Sequence, residues 1–402
     1  MKVRAGVLAH RLRVANVVDN RPKRVNFISV QQDHAVATVG TEISPIRTGY
    51  ERVMAHRVDD LFAKTAKAPG KITEKTDEYV VITYDDPKLG EERIEIGRRF
   101  GTVTGKTFPH DLVCDLPVGT KFKAGAGIAY NTGFFARDWR NPMDLCWKNG
   151  AQAYVGLRET NDTYEDSSRI SRRLSGKLLA NTSHIRTILL NFDQNAHQLV
   201  KVGDVLDVDD VLCYIEEGLA GQSSLNDETV ENLKRLSRSA PRAKYKGTVD
   251  KIEVVYFGDK EDMTESLAKI VGKADSQRAK LAKALGRGAA TTGRITNPAR
   301  VDGQQLDLNQ VAIRVFITGQ TLMGDGDKLV VGNQLKSVIT GTIEGTFQTD
   351  GEVVKGAGPV DIDVEFSYRS INARIVNSPI LMGIGNLLLE ALGREMAAAF
   401  DA

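Results

Sequence analysis

The most informative segment of the chain, residues 326–339, reads GDKLVVGNQLKSVI. Apolar and β-branched residues on both sides of Gly332 predict two strands that are joined by a tight turn. Lys328 and Lys336 lie on opposite sides of this turn, so the two strands can bring both ammonium groups to one pocket. Fixed positive charge of this kind suits chemistry on polyphosphates, because negative charge accumulates on the phosphoryl oxygens. Two solvated lysines beside an ordinary hairpin are the simpler interpretation of the spacing alone.

Strand-like segments dominate the rest of the chain. Residues 78–84 (EYVVITY) are β-branched and aromatic, and they end at an Asp-Asp-Pro turn. Residues 309–322, 329–343 and 360–366 have a similar β-type pattern. Many short strands separated by glycine turns indicate barrels rather than a parallel sheet with crossover helices. The expected fold class is therefore mixed and β-rich.

Three segments are predicted to be helical. Asn226 is a suitable N-cap for a short helix in the middle of the chain. Residues 262–285 have apolar side chains at helical spacing, a pattern that Gly272 interrupts. Residues 386–400 are rich in Leu and Ala and are expected to form the last helix.

The composition excludes several functional classes. The 402 residues include 54 Lys and Arg against 52 Asp and Glu, so the formal net charge is only +2. A protein that binds nucleic acid by itself usually has a larger basic excess, so such contacts are expected from local basic patches. The three cysteines have no zinc-ligand spacing and suit a reducing compartment. No apolar run approaches the roughly 18 residues of a membrane span, and we expect no signal peptide.

A second candidate site lies in residues 163–171, which read TYEDSSRIS. The adjacent carboxylates of Glu165 and Asp166 could hold a hydrated magnesium ion, since Mg²⁺ prefers one or two carboxylates together with phosphate oxygens. An acidic turn that caps a helix is the alternative interpretation. Neither this segment nor the lysine pair decides the function by itself.

Several short motifs resemble, in the same order along the chain, the β subunit of multisubunit RNA polymerases. The Gly-Asp-Lys…Lys element at 326–336 resembles the double-psi β-barrel of that subunit, and Tyr-Glu-Asp-Ser at 164–167 resembles its acidic active-site loop. Residues 201–247 resemble the flap, in which Leu-Asn-Asp-Glu opens the flap-tip helix. Shorter matches lie at residues 48–52, 359–362 and 384–388. The resemblance covers roughly residues 25 to 395, and the ordered set is more specific than any single motif.

The resemblance implies a double-psi β-barrel with an inserted flap or wall domain, of the sandwich-barrel hybrid type, and a C-terminal helix. Residues 1–98 would form a hybrid-side region that docks onto the missing half of the β subunit. The barrel would be built from residues 99–198, which include the acidic loop, and residues 308–382, which include the lysine pair. Residues 199–307 would form the flap or wall, and residues 383–402 the terminal helix.

The resemblance also implies a role for each matched residue. Lys328 and Lys336 would contact phosphates of the RNA 3′ end and of the incoming nucleotide. Glu165 and Asp166 would lie near the second magnesium ion, with indirect contact, and near the channel through which nucleotides arrive. Arg374, in Asn-Ala-Arg at 372–374, is the candidate arginine for contact with the triphosphate.

The flap-tip helix would be the docking surface for an initiation factor. The apolar residues of this surface would be Val230, Leu233 and Leu236.

The implied reaction is nucleotidyl transfer, in which the RNA 3′ hydroxyl attacks the α-phosphate and pyrophosphate leaves. The implied cofactor is Mg²⁺, held mainly by a β′-like partner subunit. The other implied partners are a β N-terminal-half subunit, an initiation or promoter-recognition factor, template DNA, nascent RNA and nucleoside triphosphates, with no membrane. The isolated chain is expected to be inactive.

The chain departs from the family pattern at several positions. Val36 stands where the family has a further triphosphate-contacting arginine, and Val330, Val331 and Gln334 replace glycine and basic residues within the lysine element. The N-terminal half of a β subunit is also missing. These departures resemble the split β-type subunits of giant-phage RNA polymerases. They imply the cytoplasm of an infected bacterial host, or the virion, as the location.

Two other functions stay open. Residues 101–107 (GTVTGKT) are similar to a phosphate-binding loop, and a nucleotide hydrolase could use Lys106. Its glycines are separated by three residues rather than four, which favours a simple strand turn. A structural or regulatory protein with a non-catalytic polymerase-like barrel is the other alternative. Asp325 and Asp327 are expected to be turn residues, because no third acid is close enough to complete a metal site.

Overall fold

The computed structural model describes residues 36–47, 49–103, 105–148, 150–216, 240–287, 291–332, 335–345, 347–354, 358–374 and 378–401, and the backbone of residues 2–3 and 9–16. The chain is rich in β structure and ends in a long helix, which confirms the predicted β-rich class and the terminal helix. No helix in the described ranges is both long enough and apolar enough to cross a membrane.

The strands in chain order are β1 (Lys2–Val3), β2 (Ala9–Asn16), β3 (Ala63–Thr65), β4 (Gly70–Lys75), β5 (Tyr79–Tyr84), β6 (Glu91–Glu95), β7 (Gly97–Val103), β8 (Lys106–Val113), β9 (Lys121–Phe122), β10 (Gly127–Asn131), β11 (Phe135–Arg137), β12 (Leu145–Trp147), β13 (Ala151–Leu157), β14 (Ser167–Ile170), β15 (Ala180–Asn191), β16 (Asn195–His197), β17 (Val205–Leu206), β18 (Tyr214–Glu216), β19 (Gly247–Phe257), β20 (Arg294–Ile295), β21 (Ala299–Val301), β22 (Gln304–Leu306), β23 (Gln310–Thr321), β24 (Lys328–Val331), β25 (Leu335–Thr342), β26 (Gln348–Thr349) and β27 (Val364–Phe366). The α-helices are α1 (Tyr50–Val53), α2 (Arg172–Lys177), α3 (Glu265–Ala284), α4 (Tyr368–Asn372) and α5 (Ser378–Asp401), and short 3₁₀ turns cover Met54–His56 and Lys260–Asp262.

Six strands close into a barrel in the order β13-β2-β24-β25-β14-β27. The pairs β25–β14 and β27–β13 are parallel, and the other four pairs are antiparallel. Alternate side chains point inward and fill the interior, as the pleat of a strand requires. Buried members of this core include Val155, Leu329, Val331, Ile339 and Phe366.

The barrel consists of two equivalent halves. One half is β2, β13 and β14, and the other is β24, β25 and β27. Exchanging the halves leaves every strand pair, parallel or antiparallel, unchanged. The six strands therefore have an approximate two-fold relation in their topology, and each half completes the other.

A nine-stranded sheet is formed largely by chain between β14 and β24. Its main order is β17-β19-β23-β15-β8-β10-β3, with β20 beside β19 and β7 beside β8. The long strands β15, β19 and β23 are bonded along most of their length. Helix α3 packs against this sheet through Leu267 and Val271, which are fully buried. A smaller sheet, β6-β5-β4-β9, has its own apolar core around Ile72, Val80 and Ile82.

The helix predictions have mixed outcomes. The helix predicted within residues 262–285 is confirmed as α3, which continues through Gly272 although the apolar pattern is interrupted there. The terminal helix begins at Ser378, eight residues before the predicted start at Asn386. The helix predicted after Asn226 lies outside the described residues.

The strand predictions agree closely with the structure. Predicted strands at 78–84 and 309–322 correspond to β5 and β23, and the segment 329–343 forms β24 and β25 with a turn at Gly332. Barrel strands come from residues 9–16, 151–170 and 328–366. The domain boundaries stated above stay predictions.

Candidate functional site

The hairpin of β24 and β25 presents both predicted lysines on its outer face. Leu329 and Leu335 point into the barrel and are buried, so the alternating residues Lys328 and Lys336 point outward. Lys328 is directly opposite Val338 in the strand pairing, which makes Lys336 its diagonal neighbour. Diagonal neighbours lie about 7–8 Å apart, a distance that long side chains can bridge. The two ammonium groups can therefore serve one ligand.

The electrostatic surroundings of Lys336 identify its neighbours. Burial lowers the pKa of Lys336, and the positive charges of Lys328 and Arg374 lower this pKa further, while the Asp166 carboxylate raises it. The Lys336 side chain is half-buried, whereas that of Lys328 is exposed. The structure thus brings together four of the five residues proposed from the sequence for this site.

The acidic loop, residues 158–166, reaches the hairpin through Asp166. The Asp166 carbonyl accepts the N–H of Val338 at 2.9 Å, so the loop is bonded directly to β25. Glu165 and Asp166 have φ angles of 29° and 51°, in the left-handed region that non-glycine residues rarely occupy. Glu165 is exposed, and no pairing with the lysines is seen for its side chain among the described residues.

Helix α4 holds the acidic loop from the opposite side. Ser370 Oγ accepts the N–H of Asp166 at 2.8 Å. Arg374 follows the helix, and its Nη2 lies 2.5 Å from Asp166 Oδ1 while its Nη1 donates to the Ser370 carbonyl at 3.1 Å. Arg369 donates to the Tyr164 hydroxyl at 2.8 Å. These bonds fix the backbone that bears both carboxylates.

The acidic pair does not cap a helix. Helix α2 begins after Ser171, whose Oγ accepts the Leu174 N–H at 3.1 Å. Glu165 and Asp166 instead end a loop that leads into strand β14. The helix-cap alternative is therefore wrong.

A buried carboxylate that sequence analysis missed anchors both ends of the acidic loop. Glu365 Oε1 lies 3.6 Å from Arg158 Nη1, and Glu365 Oε2 lies 3.6 Å from Arg169 Nη1. Arg158 begins the loop, and Arg169 follows it and also lies 3.7 Å from Asp162. The acids of 361–365 alternate with apolar residues, which is typical of a solvated strand face, so the pattern alone conceals the burial of Glu365.

The donor set suits a magnesium ion that is shared with phosphate, but not one held by this chain alone. Glu165 and Asp166 are exposed carboxylates on one loop, and Mg²⁺ commonly uses one or two such groups with phosphate oxygens. Asp327 Oδ2 accepts the Gly324 N–H at 2.9 Å, as expected of a turn residue. Across the described part of the chain, no group of three or more His, Cys, Asp or Glu side chains could hold a metal ion.

The segment similar to a phosphate-binding loop is a β-hairpin. Strands β7 and β8 pair from Gly97–Leu112 to Val103–Lys106, and Gly105 has a φ of 77° in the turn. Lys106 is exposed and begins a strand. A phosphate-binding loop requires a helix at this point, because the backbone N–H groups of its first turn bind the phosphate.

The proposed docking residues for an initiation factor lie outside the described residues; they are Val230, Leu233 and Leu236. Val36 lies at the wall of a cavity of about 430 Å³, together with Phe62, Phe134 and Trp147.

Neither a scan against protein-family models nor a search of curated proteins found a match.

Proposed function

We propose that this chain is a β-type subunit of a multisubunit DNA-directed RNA polymerase, corresponding to the C-terminal half of β. The observation that carries the proposal is the cluster of Lys328, Lys336, Arg374 and Asp166 around one hairpin. Three segments far apart in the sequence supply these groups. Three cations with one carboxylate give the cluster an excess of positive charge, as polyphosphate chemistry requires.

The topology supports a double-psi β-barrel for the six-stranded unit. In such a fold, two equivalent motifs interlock, and the exchange symmetry of β2-β13-β14 with β24-β25-β27 meets this requirement. The nine-stranded sheet, most of whose length lies between β14 and β24, would be the flap or wall insertion. Residues 1–98 would form the hybrid side, and strand β3 of this sheet lies within them.

The chain would position phosphates rather than form covalent bonds. Lys328 and Lys336 would bind phosphate oxygens of the RNA 3′ end and the incoming nucleotide, which lowers the cost of charge that develops during phosphoryl transfer. Arg374 would contact the triphosphate, and its ion pair with Asp166 holds the guanidinium in place beforehand. Bound Mg²⁺ would activate the attacking oxygen and stabilise the leaving pyrophosphate.

The proposal includes the partners of the chain. A β N-terminal-half subunit and a β′-like subunit, which would hold most of the Mg²⁺, would complete the active site around DNA, RNA and nucleoside triphosphates. An initiation factor would bind the flap tip. The assembly would act in the cytoplasm of an infected bacterial host or be carried in the virion.

The decisive experiment is purification of the native complex through this chain, followed by primer extension. We expect β-half and β′-like chains to copurify, and extension to be lost in the Lys336→Ala complex at unchanged subunit content. The isolated chain should not extend a primer. Recovery of the chain alone, or full activity of the Lys336→Ala complex, would instead favour a structural or regulatory protein.

Lys106→Ala is the matched control. Lys106 is an exposed lysine at a strand turn, away from the paired hairpin of β24 and β25. Its loss should leave primer extension unchanged. Nucleotide hydrolysis by the isolated chain that disappears in Lys106→Ala would support the hydrolase instead.

A further inference from the structure

The loop between β11 and β12 exposes a tryptophan. Trp139 has 70% of its surface exposed, whereas Trp147, the other tryptophan of the chain, has only 7%. A large aromatic side chain in this position loses the apolar burial that would normally stabilise it. Its exposure leaves the ring available to a ligand or partner.

Hydrogen bonds of Asp138 hold the loop between β11 and β12 in place. Asp138 is buried, and its carboxylate accepts both the backbone N–H of Arg140 and Nη1 of Arg47, each at 3.0 Å. The backbone N–H of Asp138 donates to the Asp144 carbonyl at 2.9 Å. The Arg140 hydrogen bond and the Arg47 charge lower the pKa of Asp138 against the effect of burial, so the carboxylate stays charged. Trp139 is thus displayed on a fixed turn.

Positive charge surrounds the indole. The guanidinium carbon of Arg140 lies 5.1 Å from the ring centroid of Trp139, and that of Arg47 lies 6.0 Å away. Arg52 lies 3.5 Å from Asp144 at the far side of the loop. Arg47 and Arg52 face the carboxylates of Asp138 and Asp144, and Glu51 lies in the same group of charges. Arg140, in contrast, forms no ion pair with any described residue.

We infer that Trp139 and Arg140 form a binding site for single-stranded nucleic acid, with a base stacked on the indole and a phosphate bound by Arg140. Aromatic rings accept any base on their π face, and adjacent arginines supply the attraction for the backbone. A protein partner could also use tryptophan and arginine. The guanidinium of Arg140, which lies beside the ring and has no ion pair with a described residue, favours a polyanion. The site does not depend on the lysine pair.

Fluorescence of the full chain tests this inference, because Trp139 is the exposed one of only two tryptophans. Short oligo(dT) and oligo(U) should quench the emission of the wild type and of Trp147→Phe. Quenching should be absent in Trp139→Phe, whose remaining tryptophan is buried. Binding of a labelled oligonucleotide, measured by anisotropy, should weaken about tenfold in Trp139→Ala and much less in Trp139→Phe.

Salt dependence tests the role of Arg140. In Arg140→Gln, the slope of log affinity against log salt should fall by about 0.7, the value for one phosphate contact on a single strand. Lys106→Gln, an exposed lysine outside both sites, should leave the quenching intact. Primer extension by the complex tests the proposed polymerase function, whereas quenching of Trp139 tests only this inference, so the failure of one can be told from the failure of the other. Absence of quenching by either oligonucleotide, or unchanged affinity in Trp139→Ala, would overturn the inference. Quenching only by copurified subunits would also overturn it and indicate a protein partner.

Discussion

The two halves of the barrel have the same strand pairing but different surroundings. In the pairing registers, Gln152 opposite Arg13 occupies the place that Lys336 opposite Val330 occupies in the other half. Gln152 is only 4% exposed, and Asn386 of helix α5 lies 3.5 Å from it. Lys336 is partly open to solvent. Helix α5 covers the antiparallel pair β2–β13, while the equivalent pair in the other half, the β24–β25 hairpin, is left accessible.

This difference shows how a repeated scaffold can carry one site. Strands β13 and β25 turn alternate side chains inward, with Ala151 and Leu335 fully buried at equivalent places. On the outer face, Gln152 lies beneath α5, whereas Lys336 is partly open to solvent. A site on rigid paired strands is more precisely positioned than one on a loop. The open β24–β25 hairpin is therefore the better position for the proposed phosphate-binding lysines.

The halves meet at a charged pair. Arg169 of β14 is directly opposite Glu365 of β27, the equivalent position in the other half. Exchanging the two halves replaces β14 by β27 and β27 by β14, so this pair lies on the two-fold relation between the halves. Arg158 adds a second contact to Glu365. The acidic loop depends on this junction, because Arg158 and Arg169 lie at its two ends.

The largest stability effect is expected when Gln152 of the covered β2–β13 pair is replaced by lysine, the residue at the equivalent place in the open β24–β25 hairpin. Gln152→Lys would place an ammonium group beneath α5, where burial of a charge is costly. We expect the free energy of unfolding to fall by about 3 kcal/mol, measured by urea denaturation of the full chain. Lys336→Gln is the control and should change stability by less than about 0.5 kcal/mol. Equal changes in the free energy of unfolding for the two substitutions would contradict the contrast between the covered β2–β13 pair and the open β24–β25 hairpin.

Loss of the junction should have a smaller effect. Glu365→Ala leaves Arg158 and Arg169 facing each other without their carboxylate. Both arginines are partly exposed and can regain water, so we expect a loss of about 2 kcal/mol. Urea denaturation measures this value. A change within experimental error would show that the junction does not hold the halves together.

The pH dependence of this junction has a defined sign. Burial raises the pKa of Glu365, although both arginines oppose the shift. The folded chain therefore holds this proton more tightly than the unfolded chain, and the resulting stability is lost as pH rises through the folded pKa. Glu365→Gln lacks this titration, so its stability relative to wild type should increase with pH. A constant difference between the two unfolding curves would contradict this account.

The smallest effect on stability is expected where α5 contacts the covered β2–β13 pair. The Tyr154 hydroxyl donates to the Glu390 carboxylate, 2.7 Å away. Tyr154→Phe should reduce the free energy of unfolding by about 1 kcal/mol, since the hydrogen bond to Glu390 is lost. Arg394→Ala, which removes an exposed ion pair with the same Glu390, should cost less than about 0.5 kcal/mol. A larger cost for the arginine would reverse the expected roles.

Local patterns predicted the hairpin of β24 and β25 and the terminal helix, because strand alternation and helix propensity act over short distances. The partners of these elements were not predictable in the same way. Strand β2 pairs with β24, more than 300 residues away, and no local pattern encodes such a pairing. The closed barrel therefore emerges only from the structure.

The candidate site was predicted in part. The resemblance to a family singled out Lys328, Lys336 and Asp166, but not the contacts that join them. The ion pair of Arg374 with Asp166 links residues 208 positions apart, and its geometry depends on helix α4. Glu365 was missed because its alternating acidic pattern indicates an exposed strand face, whereas neighbouring arginines accompany its burial.

The most direct test of the central claim is the rate of single-nucleotide addition by the copurified complex that carries Lys336→Gln. This substitution gives the open β24–β25 hairpin the glutamine that the covered β2–β13 pair has at the equivalent place, Gln152. We predict a rate about 10²-fold below wild type, because a fixed positive charge at the reacting phosphates is lost. Lys106→Gln, in the same assay, should match wild type. A Lys336→Gln complex that adds nucleotides within about twofold of wild type would contradict the claim that this hairpin is part of a polymerase active site.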